Sequence, residues 1–122
     1  MILVDTSVWI DHLHRAEPRL VQALLDSEVG SHPGVIGELA LGSLKHRAEV
    51  LGHLRNLPAL AEVEPDEVLW MIDRHALFGR GLAWVDVNLL ASVLVTPGWA
   101  VWTRDKRLIA AATEMGVGVL GP

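Results

Sequence analysis

The chain has 122 residues, of which 51% are hydrophobic, with 10 basic and 15 acidic side chains, a net charge of −5 and no cysteine. This length and apolar content predict one folded domain over residues 1–122 and exclude a disordered chain. The acidic balance excludes nucleic-acid binding through a broad positive field, and the lack of cysteine excludes disulfides and thiolate metal sites. No apolar run is long enough to cross a membrane and no basic leader precedes the first one, so we expect a cytoplasmic protein with no membrane partner.

The first junction between a strand and a helix organises the chain. Ile2 to Val4 is a short apolar run typical of a buried parallel strand, Asp5 follows it, and Thr6 and Ser7 open an amphipathic helix. Ligands of open α/β sheets bind at the carboxyl ends of the strands, so Asp5 lies where chemistry is usually done. Asp5 and Thr6 would equally serve as caps of the helix that follows. Which role applies depends on whether other carboxylates meet Asp5.

Short strands and helices alternate along the rest of the chain. The apolar spacing predicts helices over 7–15, from Pro18 onward, 34–44, 45–57, 65–78, 84–95 and 106–115, and short strands near 29–33 and over 60–63, 100–102 and 117–120. Two glycines in the 34–44 helix, Gly37 and Gly42, are expected to permit close helix packing. This alternation predicts an α/β fold, a three-layer sandwich with a central, mostly parallel sheet.

Three further carboxylates follow predicted strands or open predicted helices. Glu38 lies on the helix after the second strand, Asp86 in the first turn of the helix that leads to strand 100–102, and Asp105 just after that strand. Each has an ordinary explanation, as a polar helix edge, a partner of the helix dipole or a cap. Right-handed crossovers would bring them to the rim that holds Asp5, where their mutual repulsion calls for a hard divalent cation such as Mg²⁺. The metal ion, rather than an overall positive charge on the protein, would then bind a phosphate.

Four short blocks carry a resemblance to a known family. They are Asp5-Thr6-Ser7-Val8-Trp9-Ile10, Glu38-Leu39 within VIGELALG, Asp86 within WVDVNLLASV, and Thr103-Arg104-Asp105-Lys106-Arg107-Leu108. In order and spacing they resemble the PIN domain, and with the chain length they most resemble the VapC-like toxins of bacterial and archaeal toxin–antitoxin pairs. The resemblance implies a PIN-like fold and a divalent-metal-dependent endoribonuclease acting on RNA. It also implies a homodimer that a small VapB-like antitoxin holds inactive.

Matched residue by residue, the resemblance places metal-binding and catalytic acids at Asp5, Glu38, Asp86 and Asp105, with Mg²⁺ or Mn²⁺ as the cofactor. It puts the Thr6 and Thr103 hydroxyls where they would orient acids or water. Asp105 would bind the metal directly, act through water or serve as a cap, because relatives tolerate Asn in that block. In many relatives an alanine-rich helix follows the third acid, whereas Val87 and Asn88 stand here.

The basic residues of the last block, Arg104, Lys106 and Arg107, are candidate RNA contacts, with a solvated helix face as the alternative. No histidine pair has zinc-ligand spacing, and the five tryptophans are expected in the core or at a dimer contact.

Two other functions stay open from the sequence. A phosphoacceptor signalling domain also places acids and Mg²⁺ at the rim of a parallel sheet, but it would want a lysine after the last strand, and Val117 to Pro122 contains none. The second alternative is a catalytically silent module whose acidic pocket captures a basic segment of a partner. In a toxin–antitoxin pair, an antitoxin arginine or lysine would take the place of the metal.

Overall fold

The computed structural model describes residues 1–122 and contains seven helices and four strands. In chain order the elements are β1 (Ile2–Val4), α1 (Thr6–His14), α2 (Pro18–Leu25), β2 (Val29–Gly30), α3 (Pro33–Leu41), α4 (Arg47–Arg55), α5 (Pro65–Arg74), α6 (Trp84–Leu94), β3 (Ala100–Trp102), α7 (Lys106–Met115) and β4 (Gly118–Leu120). Helix starts follow local chemistry, since prolines stand in the first turn of α2, α3 and α5.

The four strands form one sheet in the order β2-β1-β3-β4, and every pair is parallel. The predicted α/β fold with a parallel central sheet is therefore confirmed. In the two central strands Ile2 pairs with Ala100 and Val4 with Trp102, so their carboxyl ends are level. The Asp5 N–H continues the ladder by donating to the Trp102 carbonyl at 2.8 Å. The residues after β1 and after β3 thus meet at one rim.

The core consists of 26 buried hydrophobic residues drawn from the sheet and from all seven helices. Helix α6 is the most deeply buried, with Val87 and every residue from Leu89 to Val93 inaccessible or nearly so. Because α6 is held on most sides, the position of Asp86 in its first turn is fixed by the core. The longest helix has 11 residues, and none combines the length and the hydrophobicity needed to cross a lipid bilayer.

The predicted strand over 60–63 is wrong. Only one isolated bridge forms there, between Ser31 and Ala59, with Ser31 N–H donating to the Pro58 carbonyl and Leu60 N–H to the Ser31 carbonyl. The partner strand β2 ends after Gly30 because His32 and Pro33 already open α3, so residues beyond Leu60 have no ladder to join.

Helices α3 and α5 end three and four residues earlier than predicted, and the expected role of the α3 glycines is wrong. Helix α3 ends at Leu41, where Gly42 takes an extended conformation, and α5 ends at Arg74. A Cβ atom at Gly37 would meet nothing within 4 Å, so this glycine does not permit a close helix contact. The close approach occurs instead at Gly30, where a Cβ would lie 2.2 Å from the Trp99 ring.

Candidate active site

A hydrogen-bond network holds Asp5 at the junction of β1 and β3. Asp5 is only 5% exposed, and its Oδ2 accepts hydrogen bonds from the hydroxyls of Ser7 and Thr103, each at 2.8 Å. Each hydroxyl in turn accepts a backbone N–H at 3.1 Å, Ser7 from Arg104 and Thr103 from Asp105. Every hydroxyl in the network therefore donates and accepts, which fixes the direction of both donations toward Asp5.

Each of the four predicted acids has one carboxylate oxygen held by hydrogen bonds and one that receives none. The held oxygens are Asp5 Oδ2, Glu38 Oε1 with the Thr6 hydroxyl at 2.7 Å, Asp86 Oδ2 with the Ala83 N–H at 2.8 Å, and Asp105 Oδ1 with the Arg107 N–H at 2.9 Å. The two threonines expected to orient acids, Thr6 and Thr103, thus donate directly to two of them. The held oxygen sets the orientation of each carboxylate and leaves the other oxygen for a ligand.

Asp86 is the electrostatic centre of this group. Its half-buried position raises the pKa of the carboxyl, and the charges of Asp5, Asp105 and Glu38 raise it further, while the hydrogen bond from the Ala83 N–H lowers it. Asp105 alone among the four acids has a basic partner within 4 Å, the Arg107 Nε at 3.8 Å. The four acids therefore share one electrostatic environment, in which Arg107 is the only basic group within 4 Å of a carboxylate.

The donor set fits a hard divalent cation. All its candidate ligands are carboxylate oxygens, and Mg²⁺ prefers oxygen, keeps several waters and needs only one or two carboxylates beside a phosphate. No group of three or more histidine or acidic side chains is arranged to enclose an ion by itself. A cation at this rim would hence be completed by water and substrate oxygens. The idea that all four acids are direct ligands stays a prediction.

The three basic candidates differ in their surroundings. Lys106 is exposed and has no ion pair, and Arg107 is 65% exposed over the α5–α6 loop, where it packs against Gly81. Arg104 already has two acidic partners, since its Nη1 bonds to Asp11 and its Nη2 to Glu17. These ion pairs connect the β3–α7 turn to α1 and to the start of α2, and the RNA contact of Arg104 stays a prediction.

Sequence reasoning missed one buried polar pair near the acids. His32 caps α3 by accepting the Gly34 N–H at its Nδ1, and its Nε2 lies 3.1 Å from the hydroxyl of Ser92 on α6. The only signal in the sequence is a histidine before a proline at a helix start, which does not indicate a cross-helix contact. The absence of zinc-ligand spacing predicts an exposed or packed role for each histidine, and His32 is packed.

The PIN domain model matches residues 2–114, a span that includes all four acids and six of the seven helices in full. The chain belongs to the PIN domain family. This result confirms the family resemblance predicted from the four sequence blocks.

Within the family, the chain is similar to proteins named Ribonuclease VapC32 from Mycobacterium tuberculosis. It is 57% identical to the protein of strain CDC 1551 / Oshkosh over 119 residues, which cover 98% of this chain and 96% of the relative. The protein of a second strain of that organism gives the same identity and coverage. The resemblance to VapC-like proteins therefore extends over nearly the whole length of both chains.

Proposed function

We propose that this protein is a divalent-metal-dependent endoribonuclease, the toxin of a toxin–antitoxin pair, which hydrolyses RNA phosphodiester bonds at the four-carboxylate site. One observation carries the proposal: each of the four acids is oriented through one oxygen and free at the other, and the charges of Asp5, Asp105 and Glu38 add to the effect of burial in raising the pKa of Asp86. The name ribonuclease that its relatives bear supports the same reaction. Residues 1–122 would act as one catalytic domain, in the cytoplasm.

In this proposal Asp5 and Asp86 are the principal ligands of Mg²⁺, with Mn²⁺ as a substitute. When bound, such a cation polarises the scissile phosphate and lowers the pKa of a water molecule. Asp5 is suited to the role because it is buried and because Ser7 and Thr103 fix its carboxylate plane. Glu38 is exposed and tethered through Thr6, so it would position the attacking water or complete the ligand set. Asp105, which caps α7, would act at the edge of the site.

Lys106 and Arg107 would hold the RNA phosphates that flank the scissile bond. Both lie in the first turn of α7, directly after Asp105, and both are exposed to solvent. Lys106 has no ion pair and Arg107 has only a long one, to Asp105 at 3.8 Å, so both can meet a phosphate as point or bidentate charges, whereas Arg104 is already bound to two carboxylates. Positive charge is thereby concentrated beside the site although the chain is acidic overall.

The protein would form a homodimer and bind a small VapB-like antitoxin. Large apolar side chains stand exposed along α5, α6 and their connection, including Trp70, Phe78 and Trp84, which supports a contact between copies of the chain. A separate groove of about 680 Å³ is lined by Ile10, Leu13 and Glu38, among others. An antitoxin segment in this groove would cover the acid on α3 and compete with RNA.

Cleavage of RNA by the purified protein tests this function. We expect cutting with Mg²⁺ or Mn²⁺, none with EDTA, and a loss of at least about a hundredfold in Asp5→Asn, because a principal metal ligand is gone. The matched control is Asp73→Asn, which removes an exposed acid on α5 and should cut normally. Cutting that persists in EDTA or in a folded Asp5→Asn variant would overturn the proposal.

A further inference from the structure

A buried histidine joins the two helices that carry Glu38 and Asp86. His32 is 4% exposed and Ser92 is fully buried. Because His32 Nδ1 accepts the Gly34 N–H at 2.9 Å, the ring proton must reside on Nε2, which then donates to the Ser92 hydroxyl at 3.1 Å. We call this contact the His32–Ser92 bridge. Burial lowers the pKa of His32, in agreement with a neutral ring.

Each residue of the bridge belongs to a helix that carries one of the acids, α3 or α6. His32 is the N-cap of α3, on which Glu38 follows, and Ser92 lies in the buried part of α6, whose first turn holds Asp86. The same junction is closely packed, because a Cβ atom added at Gly34 would lie 3.0 Å from a methyl group of Val85. Val85 directly precedes Asp86. The start of α3 therefore rests against α6 right beside one of the acids.

We propose that His32 is a positioning residue for the metal site: its bridge to Ser92 fixes the separation of the free Glu38 and Asp86 oxygens. The part of this inference that concerns the metal rests on the proposed function. Two carboxylates that share one cation must keep a nearly constant separation, since misplacement by a fraction of an ångström weakens such sites. Because His32 and Ser92 are both buried, they would not bind the ion or the substrate themselves. They act by holding two helices in register.

Three variants separate this role from general stability. His32→Asn keeps an acceptor for the Gly34 N–H but is too short to reach Ser92, so it removes the bridge and keeps the cap. Ser92→Ala removes the bridge from the other side. Leu20→Val is the control, because it weakens the core at a fully buried position of α2, a helix that carries no acid of the site.

Calorimetric titration of Mn²⁺ into the RNA-free protein is the first measurement. We expect His32→Asn and Ser92→Ala each to weaken Mn²⁺ binding about tenfold, and the double variant to be no weaker than either, because both remove one contact. Leu20→Val should bind as the unsubstituted protein does although its unfolding temperature falls. Unchanged binding in both bridge variants, or equal weakening in Leu20→Val, would overturn the positioning role.

A second measurement needs no metal. The chain lacks cysteine, so cysteines introduced at the exposed residues Leu41 and Leu94 would carry spin labels at the ends of α3 and α6. We expect His32→Asn to shift or broaden the distance between the labels, and Leu20→Val to leave it unchanged. An unaltered distance in His32→Asn would overturn the bridge. Failure of the unsubstituted protein to bind Mn²⁺ would instead overturn the proposed function, and the label distances would still decide what the bridge does.

Discussion

At the scale of single residues, the two oxygens of each acid have different roles: one accepts hydrogen bonds and the other accepts none. Asp86 accepts the Ala83 N–H through Oδ2 and so caps α6, and Asp105 accepts the Arg107 N–H through Oδ1 and so caps α7. As alternatives to metal binding, the sequence indicates interaction with the helix dipole for Asp86 and capping for Asp105. The sequence could not decide between these roles, because a residue pattern does not show which carboxylate oxygen accepts the backbone N–H. Since each cap occupies one oxygen only, both roles are compatible in one side chain.

Replacing Asp86 by asparagine should stabilise the metal-free protein. The pKa of this carboxyl is raised, so the folded state favours its neutral form, and that contribution is lost as pH rises through the raised pKa. At neutral pH the ionised group repels Asp5, Asp105 and Glu38, whereas asparagine keeps the acceptor for the Ala83 N–H. We expect a rise of about 2 °C in the unfolding temperature in EDTA. A fall relative to the Asp73→Asn control would contradict this account of the site.

His32 should give the protein a pH-dependent stability. Burial lowers its pKa, with a smaller opposing effect of Glu62, so the unfolded chain binds a proton more readily than the folded one. Stability is then complete above the ordinary histidine pKa of about 6.5 and falls as pH drops below it. Urea unfolding at about pH 7.5 and about pH 5.5 should show a smaller loss in His32→Asn. The loss will not vanish, because burial lowers the pKa of His12 as well. An equal loss in both proteins would count against the buried neutral ring.

At the scale of elements, the two central strands and all seven helices were predictable, whereas several helix boundaries and one strand were not. The strands Ile2–Val4 and Ala100–Trp102 have the predicted bounds, because each is an apolar run that a polar residue ends. The strand expected over 60–63 is absent because its partner β2 turns into α3 after Gly30. A strand forms only where a neighbouring strand can pair with it, and a local sequence pattern gives no information about that neighbour.

Gly30 should be the glycine that the sheet tolerates least. A Cβ there would lie 2.2 Å from the Trp99 ring and 2.8 Å from the Pro58 carbonyl oxygen, so alanine must displace an aromatic ring or the backbone of the edge contact. Urea unfolding of Gly30→Ala should show a loss of about 3 kcal/mol. Gly37→Ala is the matched control, since nothing lies within 4 Å and helix propensity should raise stability by about 0.5 kcal/mol. Equal stabilities for the two variants would show that Trp99 does not pack on β2 as described.

At the scale of the whole molecule, parallel topology brings together residues that lie far apart in the chain. Asp5 and Thr103 are 98 positions apart yet share a hydrogen bond, because β1 and β3 are neighbours in the sheet. Alternating strands and helices with right-handed crossovers predicted this rim from the sequence. The ion pairs of Arg104 with Asp11 and Glu17 were not predictable, since they depend on how closely the β3–α7 turn approaches α1.

The distribution of charge predicts how salt affects RNA binding. With a net charge of −5, phosphate contacts must come from a few cations near the site. Lys106→Ala and Arg107→Ala should each reduce the slope of log affinity against log salt by about 1, and Arg104→Ala should leave it unchanged. To measure the slopes, each substitution is combined with Asp5→Asn, which prevents cutting. The affinity of a short RNA is then determined at several salt concentrations. A reduced slope in Arg104→Ala would show that RNA displaces Asp11 and Glu17 from this side chain.

Calorimetric titration of Mn²⁺ is the decisive test of the proposed metal site. It is carried out on the unsubstituted protein and on Asp5→Asn, Glu38→Gln, Asp86→Asn and Asp105→Asn. We predict binding to the unsubstituted protein, a loss of at least about tenfold in the Asp5 and Asp86 variants, and smaller losses in the other two. The Asp73→Asn control should bind normally. An unsubstituted protein that binds no Mn²⁺, or acid variants that all bind it equally well, would contradict a metal site at the carboxyl ends of β1 and β3.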